Sequence, residues 1–478
     1  MADVYDRAAK LWNWMVFAVA DSGLTDKQGR TGADLASSCF SGIQSGYHAI
    51  GSELPMGMTM TEKILASHAG KDRVSVGEIV VCEIDRIVQL DIQFAVPGIG
   101  VIPKRVIDPD RIVVVMDHAV PAPTVLDAAG QTKAREFTKR FGIKNLFDLG
   151  RHGISHQLML ESGLALPGQT LACTDSHTCA SGALNCAARG VGPIEMLQIV
   201  CTGKTWFKVG PTVKVVLEGD KPANVFGKDI FLHLAGLTGS IEGQNIEFAG
   251  SGLRSLGIDD RSTLATMCAE ISAEFALFPA DDVLRKYLSG VTTQPYEPVD
   301  PDPDASYSAV WRIDLDKLKP YVARPDFIPG NTLPVAELGE EVRIDQAFVG
   351  SCANGKLEDI RVAAAVVRGR KVAPGVRLII TPASQAVYLE AVKRGYVEAL
   401  LEAGAVVTNS TCGACYGGHM GLIGPGEVCI TSSTRNFKGR MGSPDAKIYM
   451  GSSATVAASA LAGRITDPTP YLEGAINL

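Results

Sequence analysis

Short apolar runs punctuate the chain at residues 77–82, 111–116, 213–217, 376–381 and 405–409, and stretches with helical spacing separate them. Such runs read as buried strands. Their alternation with helices predicts an α/β architecture with mostly parallel sheets. Residues 346–349 add a further strand of this kind. Two of these strands end in residues that carry chemistry: Asp117-His118 follows 111–116, and Cys352 follows 346–349. In parallel sheets, ligands gather at the carboxyl ends of strands. The pattern begins afresh at Met58-Thr-Met-Thr-Glu-Lys-Ile-Leu-Ala, a helix start for which Thr61 is the predicted N-cap. Residues 1–57 therefore stand apart as an N-terminal extension. A segment rich in Pro and Asp at 295–308 predicts a linker with a new domain after it. The expected blocks are 58–208, 209–295, a linker at 296–307, and 308–478. No repeat at a solenoid period is visible.

Composition narrows the class. The 478 residues suffice for two to four domains of the usual ~100–200 residues. The net charge of −7 offers no electrostatic footprint for nucleic acid, so an anionic ligand would need local Arg or Lys. Eleven cysteines, scattered and odd in number, suit reduced thiols in a cytoplasmic compartment better than a disulfide scaffold. No apolar run approaches the ~20 residues of a membrane span. Residues 11–20 (LWNWMVFAVA) imitate part of a signal peptide. Asp3 and Asp6 spoil its basic front and Asn13 interrupts it, so an ordinary helix is expected.

The strongest chemical signal is a set of three thiols. Cys352 lies in Gly-Ser-Cys-Ala-Asn-Gly, while Cys412 and Cys415 form a C-x-x-C pair. Soft thiolates select iron–sulfur clusters, zinc or copper(I). Three thiolates on a four-iron cluster would leave one iron open as a Lewis acid. Zinc remains an alternative, with His419 or Cys429 as fourth ligand, and so does a thiol-redox motif. Thr174-Asp175-Ser176-His177-Thr178 places an Asp close to a His, Asp117-His118 repeats that pairing, and His156 follows a Ser. A lone histidine is usually structural. Three beside Asp, Ser or Gln at loop positions are candidates for proton transfer. Arg435 and Arg440 could grip carboxylates in bidentate fashion, though a surface charge patch is the blander reading.

Taken together, MTMTEKILA, MDHAVPAPT, GISHQLMLE, TDSHTCASGAL, MCAEISAEFALFPAD, GSCANGKLEDIR, TCGACYGGHMG and TRNFKGRMGSP resemble the aconitase family, in family order over most of the chain. The resemblance implies three α/β domains around one [4Fe–4S] cluster held by Cys352, Cys412 and Cys415. It implies reversible dehydration of a hydroxy-di- or tricarboxylic acid, with 3-isopropylmalate or a related 2-alkylmalate expected. Asp117 and His118 would protonate the departing hydroxide. His156, Asp175 and His177 would order water and the surrounding network, with Glu270 in the same shell. Arg435 and Arg440 would hold substrate carboxylates, and Ser176 would hydrogen-bond nearby. Asn354, beside a ligand cysteine, would bond to cluster sulfur.

Some positions depart from the family pattern. Thr434 stands where the family usually has Asn on the substrate side, and Thr266 stands where it has Asn four residues before Glu270. The stretch Asp91-Ile-Gln-Phe-Ala also departs, so Gln93 receives no role. The family's catalytic base is a serine followed by arginine on a mobile domain. The only Gly-Ser-Ser here, ending at Ser453, is followed by Ala454. A small subunit of the swivelling-domain type is therefore expected to supply the catalytic Ser. A non-catalytic, cluster-bearing regulatory protein is the alternative. Cys173, Cys179, Cys186 and Cys268 read as buried small hydrophobes.

Overall fold

Val- and Ile-rich runs become strands, and polar turns carry the chain between layers. The computed structural model describes residues 57–96, 100–328 and 330–473. The extension and its signal-like segment at 11–20 lie outside the described residues. The first sheet region contains β1 (Ile79–Glu83), β2 (Arg86–Leu90), β3 (Ile112–Val115), β4 (Asn145–Phe147), β5 (Thr170–Cys173), β6 (Ala187–Gly190) and β7 (Lys204–Lys208). Strands β2 to β6 form one parallel sheet in the order β4-β3-β2-β5-β6, and β1 pairs antiparallel with β7 as a separate ribbon. All four residues of β3 (IVVV) are buried, as expected of a strand covered on both faces.

A second parallel sheet joins β8 (Thr212–Glu218), β9 (Asn245–Ala249), β10 (Ala276–Leu277) and β11 (Ala309–Asp314) in the order β10-β9-β8-β11. Its edge strand β11 therefore comes from beyond the Pro/Asp-rich segment. That segment is itself tied down: Asp302 accepts from the Met58 N–H at 2.7 Å, and the Asn185 amide donates to the Val299 carbonyl at 3.0 Å. The third sheet holds β12 (Tyr321–Ala323), β13 (Thr332–Pro334), β14 (Gln346–Val349), β15 (Arg377–Ile380), β16 (Val406–Val407), β17 (Val428–Thr431) and β18 (Lys447–Gly451). The order is β13-β12-β18-β17-β14-β15-β16; β12 and β13 run antiparallel and the rest parallel.

The first helix among the described residues, Met60–His68, starts earlier than expected. Thr59 is its N-cap, not Thr61. Thr59 and Glu62 form a reciprocal capping box, the T-x-x-E signature, whereas Thr61 is buried and turned to Glu247.

Strand order explains where polar residues converge. In the first sheet the chain leaves β2 toward β3 and β4, then returns to place β5 and β6 on the other side. The third sheet does the same around β14, with β15 and β16 on one side and β17 and β18 on the other. Each reversal opens a crevice at the strands' carboxyl ends. The residues following β2, β5, β14 and β17 are Asp91, Thr174-Asp175, Gly350-Ser-Cys352 and Ser432-Ser-Thr434-Arg435. Glycine permits close layering here: a Cβ on Gly190 would lie 2.3 Å from the Asp175 carbonyl oxygen, and one on Gly182 would lie 1.7 Å from that of Ala276.

Candidate active site

The first sheet contributes acids and imidazoles. Asp117 and His118 follow β3, and Asp117 is fully buried with Oδ2 accepting the Ser155 N–H at 2.8 Å. That bond fixes the start of the helix Ser155–Glu161, which carries His156. His156 Nε2 donates to Asp175 Oδ1 at 2.9 Å. The same oxygen accepts the His177 N–H at 2.8 Å and lies 3.3 Å from His177 Nδ1. On its other side His177 Nε2 donates to Glu270 at 2.8 Å, from the turn that closes the helix Ile258–Cys268. Arg435 Nε donates to that Glu270 oxygen at 2.8 Å, and its Nη2 donates to Ser176 Oγ at 3.0 Å. His118 lies between Asp117 (3.4 Å) and Asp175 (3.7 Å).

Charge decides the protonation of this network. Burial alone would lower the pKa of His177, but Asp175 and Glu270 outweigh it and lift it to about 9. Burial would raise Asp175 and Glu270, yet the facing imidazoles and Arg435 hold both below the usual carboxylate range. His118 is likewise held above its ordinary value against burial by Asp117, Asp175 and Asp91. Asp117 is raised by burial and by its acidic neighbours. The site therefore favours the charged form of His177 and His118 beside carboxylates, one of which is shifted toward the protonated form.

The third sheet contributes the thiols. Cys352 sits in the short helix Ser351–Asn354 behind Ser351, whose φ of 81° is unusual for a residue with a side chain. Such strain costs on the order of 1–3 kcal/mol and marks positions that the surroundings over-determine. Cys412 and Cys415 lie on a tight turn with Gly413 and Gly417 at positive φ. All three thiols are buried. Cys412 donates toward Cys415 and, with Arg440 and Thr434, holds the latter's pKa well down; Cys352 is pushed up by burial and by Cys415. The Thr434 hydroxyl lies 3.6 Å from Cys415 Sγ.

Backbone bonds stitch the two halves together. The Thr411 hydroxyl bridges the carbonyls of Asp117 (2.8 Å) and His118 (2.9 Å), and the Cys412 N–H donates to the Asp117 carbonyl at 3.1 Å. In consequence one donor atom each from Asp117, His118 and Cys412 lies within 4.8 Å of the others. His419 Nε2 is committed to the His118 carbonyl at 2.8 Å, and Cys429 is buried inside β17.

A soft metal group fits this site. The converging thiols are free, as are all ten cysteines among the described residues. Buried polar atoms without a hydrogen bond include Asp117 Oδ1, His118 Nδ1, Asn354 Oδ1, Thr266 Oγ1 and Arg440 Nε. Orphans of this kind normally have a ligand or water to satisfy them.

Sequence reasoning passed over Asp91. Its carboxylate accepts the N–H groups of His118 (3.1 Å) and Ala119 (3.0 Å) and so aims the imidazole. Its position directly after β2 was the available signal. Gln93 lies near the network, accepting from the Thr174 hydroxyl at 3.1 Å. Tyr416 sets its ring edge-on to His118, with centroids 5.1 Å apart. The two serines of Gly-Ser-Ser are spent locally: Ser452 caps the helix Ser453–Ala462, and Ser453 donates to Asp359 at 2.8 Å. Ser453→Ala is therefore expected to leave turnover of the complete enzyme within about twofold while removing about 1–3 kcal/mol of stability. Paired rate and thermal-melting measurements check this.

These strand ends, thiols and paired acids meet in one buried site. The model of the aconitase family (aconitate hydratase) matches residues 62–341 and 336–463, and the chain belongs to that family. It is a hydro-lyase of the family. Among its relatives, a 3-isopropylmalate dehydratase large subunit of Mycolicibacterium smegmatis is 57% identical over 86% of this chain and 97% of its own length. One of the same description from Caldicellulosiruptor bescii is 42% identical over 86% and 97%. The holo-form crystal structure of Thermococcus kodakaraensis aconitase X is a distant likeness, with TM-score 0.43 and 13% identity over 78% of this chain and 89% of that one.

Proposed function

We propose that this chain is the large subunit of a two-chain dehydratase that acts on 3-isopropylmalate or a closely related 2-alkylmalate. One [4Fe–4S] cluster on Cys352, Cys412 and Cys415 would serve it. The observation that carries the reading is the meeting of the Cys412 thiol with the Asp117–His118 pair within 4.8 Å, in a chain 57% identical to a subunit of that description. When bound, the cluster supplies a Lewis-acidic iron that polarises a carbon–oxygen bond. This chain's residues hold the substrate and handle the leaving group's proton. Arg435, anchored by Glu270 and Ser176, offers its fork to a substrate carboxylate, and Arg440 adds charge beside the thiols. His118, flanked by Asp117 and Asp175, holds the proton that a departing hydroxide takes. His156, Asp175 and His177 keep the proton network in register.

The base that removes the carbon-bound proton comes from a small swivelling-domain subunit bearing a catalytic Ser; the "large subunit" descriptions of the relatives support such a partner. A reducing cytoplasmic setting suits the free thiols. No helix among the described residues is long and apolar enough to cross a membrane.

The test is anaerobic reconstitution. The chain should turn brown with about four irons, the nuclearity of a cubic cluster. Mixed with its small subunit it should convert 3-isopropylmalate to an unsaturated diacid, followed by ultraviolet absorbance. The chain alone should be inactive. A colourless, zinc-filled protein would overturn the cluster. Full turnover without a companion would overturn the partner.

A further inference from the structure

Lys228 occupies an expensive position. It lies in the first turn of the helix Gly227–Thr238, where the macrodipole disfavours a cation, and it is completely buried. Its Nζ donates to the Ser433 carbonyl at 2.9 Å; its other close neighbours are the sulfurs of Met267 (3.0 Å) and Met450 (3.9 Å). No carboxylate among the described residues forms an ion pair with it. Burial pulls its pKa down to about 7, and Cys352 is foremost among the groups pushing it back up. The other buried ammonium, Lys356, bonds Thr263 at 3.0 Å and has the carboxylates of Asp259 and Asp359 acting on it. Asp359 also acts on Lys228, but after Cys352 and without forming an ion pair, and no step of the proposed reaction touches it.

Its one hydrogen bond to an oxygen has a specific address. The Ser433 carbonyl and the Thr434 N–H belong to one planar peptide unit. That N–H is turned toward Cys415 Sγ, and the hydroxyl of the same Thr434 lies 3.6 Å from it. The path from Lys228 Nζ through the amide oxygen, carbon and nitrogen to the Cys415 sulfur is therefore continuous. A charged donor on an amide oxygen draws electron density from the nitrogen and makes its N–H a stronger donor. Hydrogen bonds to thiolate sulfur are among the terms that set a cluster's reduction potential.

We infer that Lys228 is a positioning residue for Cys415: acting through the Ser433–Thr434 peptide, it strengthens the hydrogen bond to that sulfur and raises the reduction potential of the cluster bound there. This rests on the cluster reading proposed above.

The test compares the full-length chain with Lys228→Met, both reconstituted anaerobically. Methionine is unbranched like lysine and one atom shorter, without its charge, and the socket already holds thioethers. Iron and sulfide are assayed first. The reduced cluster is then titrated against potential by electron paramagnetic resonance. At fixed potential the variant is expected to show a ratio of reduced to oxidised cluster about tenfold lower, equal to about 59 mV for one electron. An unchanged midpoint in an iron-replete variant overturns the inference and leaves the cluster reading intact. A parent chain that takes up no iron instead overturns the cluster reading. If the variant fails to hold iron, the decision passes to the parent grown with ¹⁵N-threonine. Pulsed resonance of its reduced cluster must show a coupled ¹⁵N, and its absence overturns the relay.

Discussion

Cys352→Ser is expected to keep the chain from holding the proposed cluster and to lower turnover by about a thousandfold or more, a loss of about 4 kcal/mol of transition-state stabilisation. Cys352 is a buried thiol behind a residue at φ 81°, facing Cys412 and Cys415 across the third sheet's crevice. Serine nearly matches its volume, so the sheet and the helix Leu357–Val367 behind it should keep their packing. Only the soft donor is lost. Iron content, visible absorbance and far-ultraviolet circular dichroism separate the outcomes. Iron lost with the fold retained supports the ligand role. Iron retained in full shows that the thiol set is not the anchor.

The second large effect concerns Glu270. Glu270→Gln keeps an oxygen to accept the His177 proton but removes the charge that His177 and Arg435 share. Breaking a buried pair by removing one partner costs about 3 kcal/mol or more, and disabling a proton-handling network costs about a hundredfold in rate. Its pH signature can be worked out in sign. His177 has its pKa raised to about 9, so its contribution is full below the unfolded value near 6.5 and is lost as pH rises through 9. Glu270 and Asp175 are depressed, so their contribution is present above the ordinary carboxylate range and is lost as pH falls through their folded values. Stability should therefore be highest near neutrality. In Glu270→Gln the alkaline loss should begin at lower pH, because one of the two acids holding His177 charged is gone. Melting temperatures from pH 6 to 10 for both proteins check this. An unshifted alkaline limb would show that Asp175 alone sustains the charge.

The sequence made the strands and the chemistry-bearing loops legible because both depend on local pattern. Val- and Ile-rich runs placed β3, β8, β14 and β15 to within a residue or two, and the C-x-x-C and Asp-His motifs pointed to the family. Less legible was whatever depends on a distant partner. Asp91 looks ordinary until His118, 27 positions away, is seen donating its backbone N–H to it. Thr61 has the residue type of a cap at the start of the helical pattern, but Glu247, 186 positions on, claims it. The edge strand β11 follows a stretch that reads as a domain boundary yet pairs with β8, because an unpaired buried edge would leave backbone donors unmet. Lys228 was invisible for the same reason: only the fold brings it to Ser433, 205 residues away.

The order in which the crevice is assembled has a consequence for the newborn protein. Every carboxylate and imidazole of the wall, from Asp91 to Glu270, precedes Cys352, Cys412 and Cys415 along the chain. Because domains fold largely as they leave the ribosome, amino end first, the wall can form before the thiols emerge. The thiols then arrive late, beside acids and imidazoles already made.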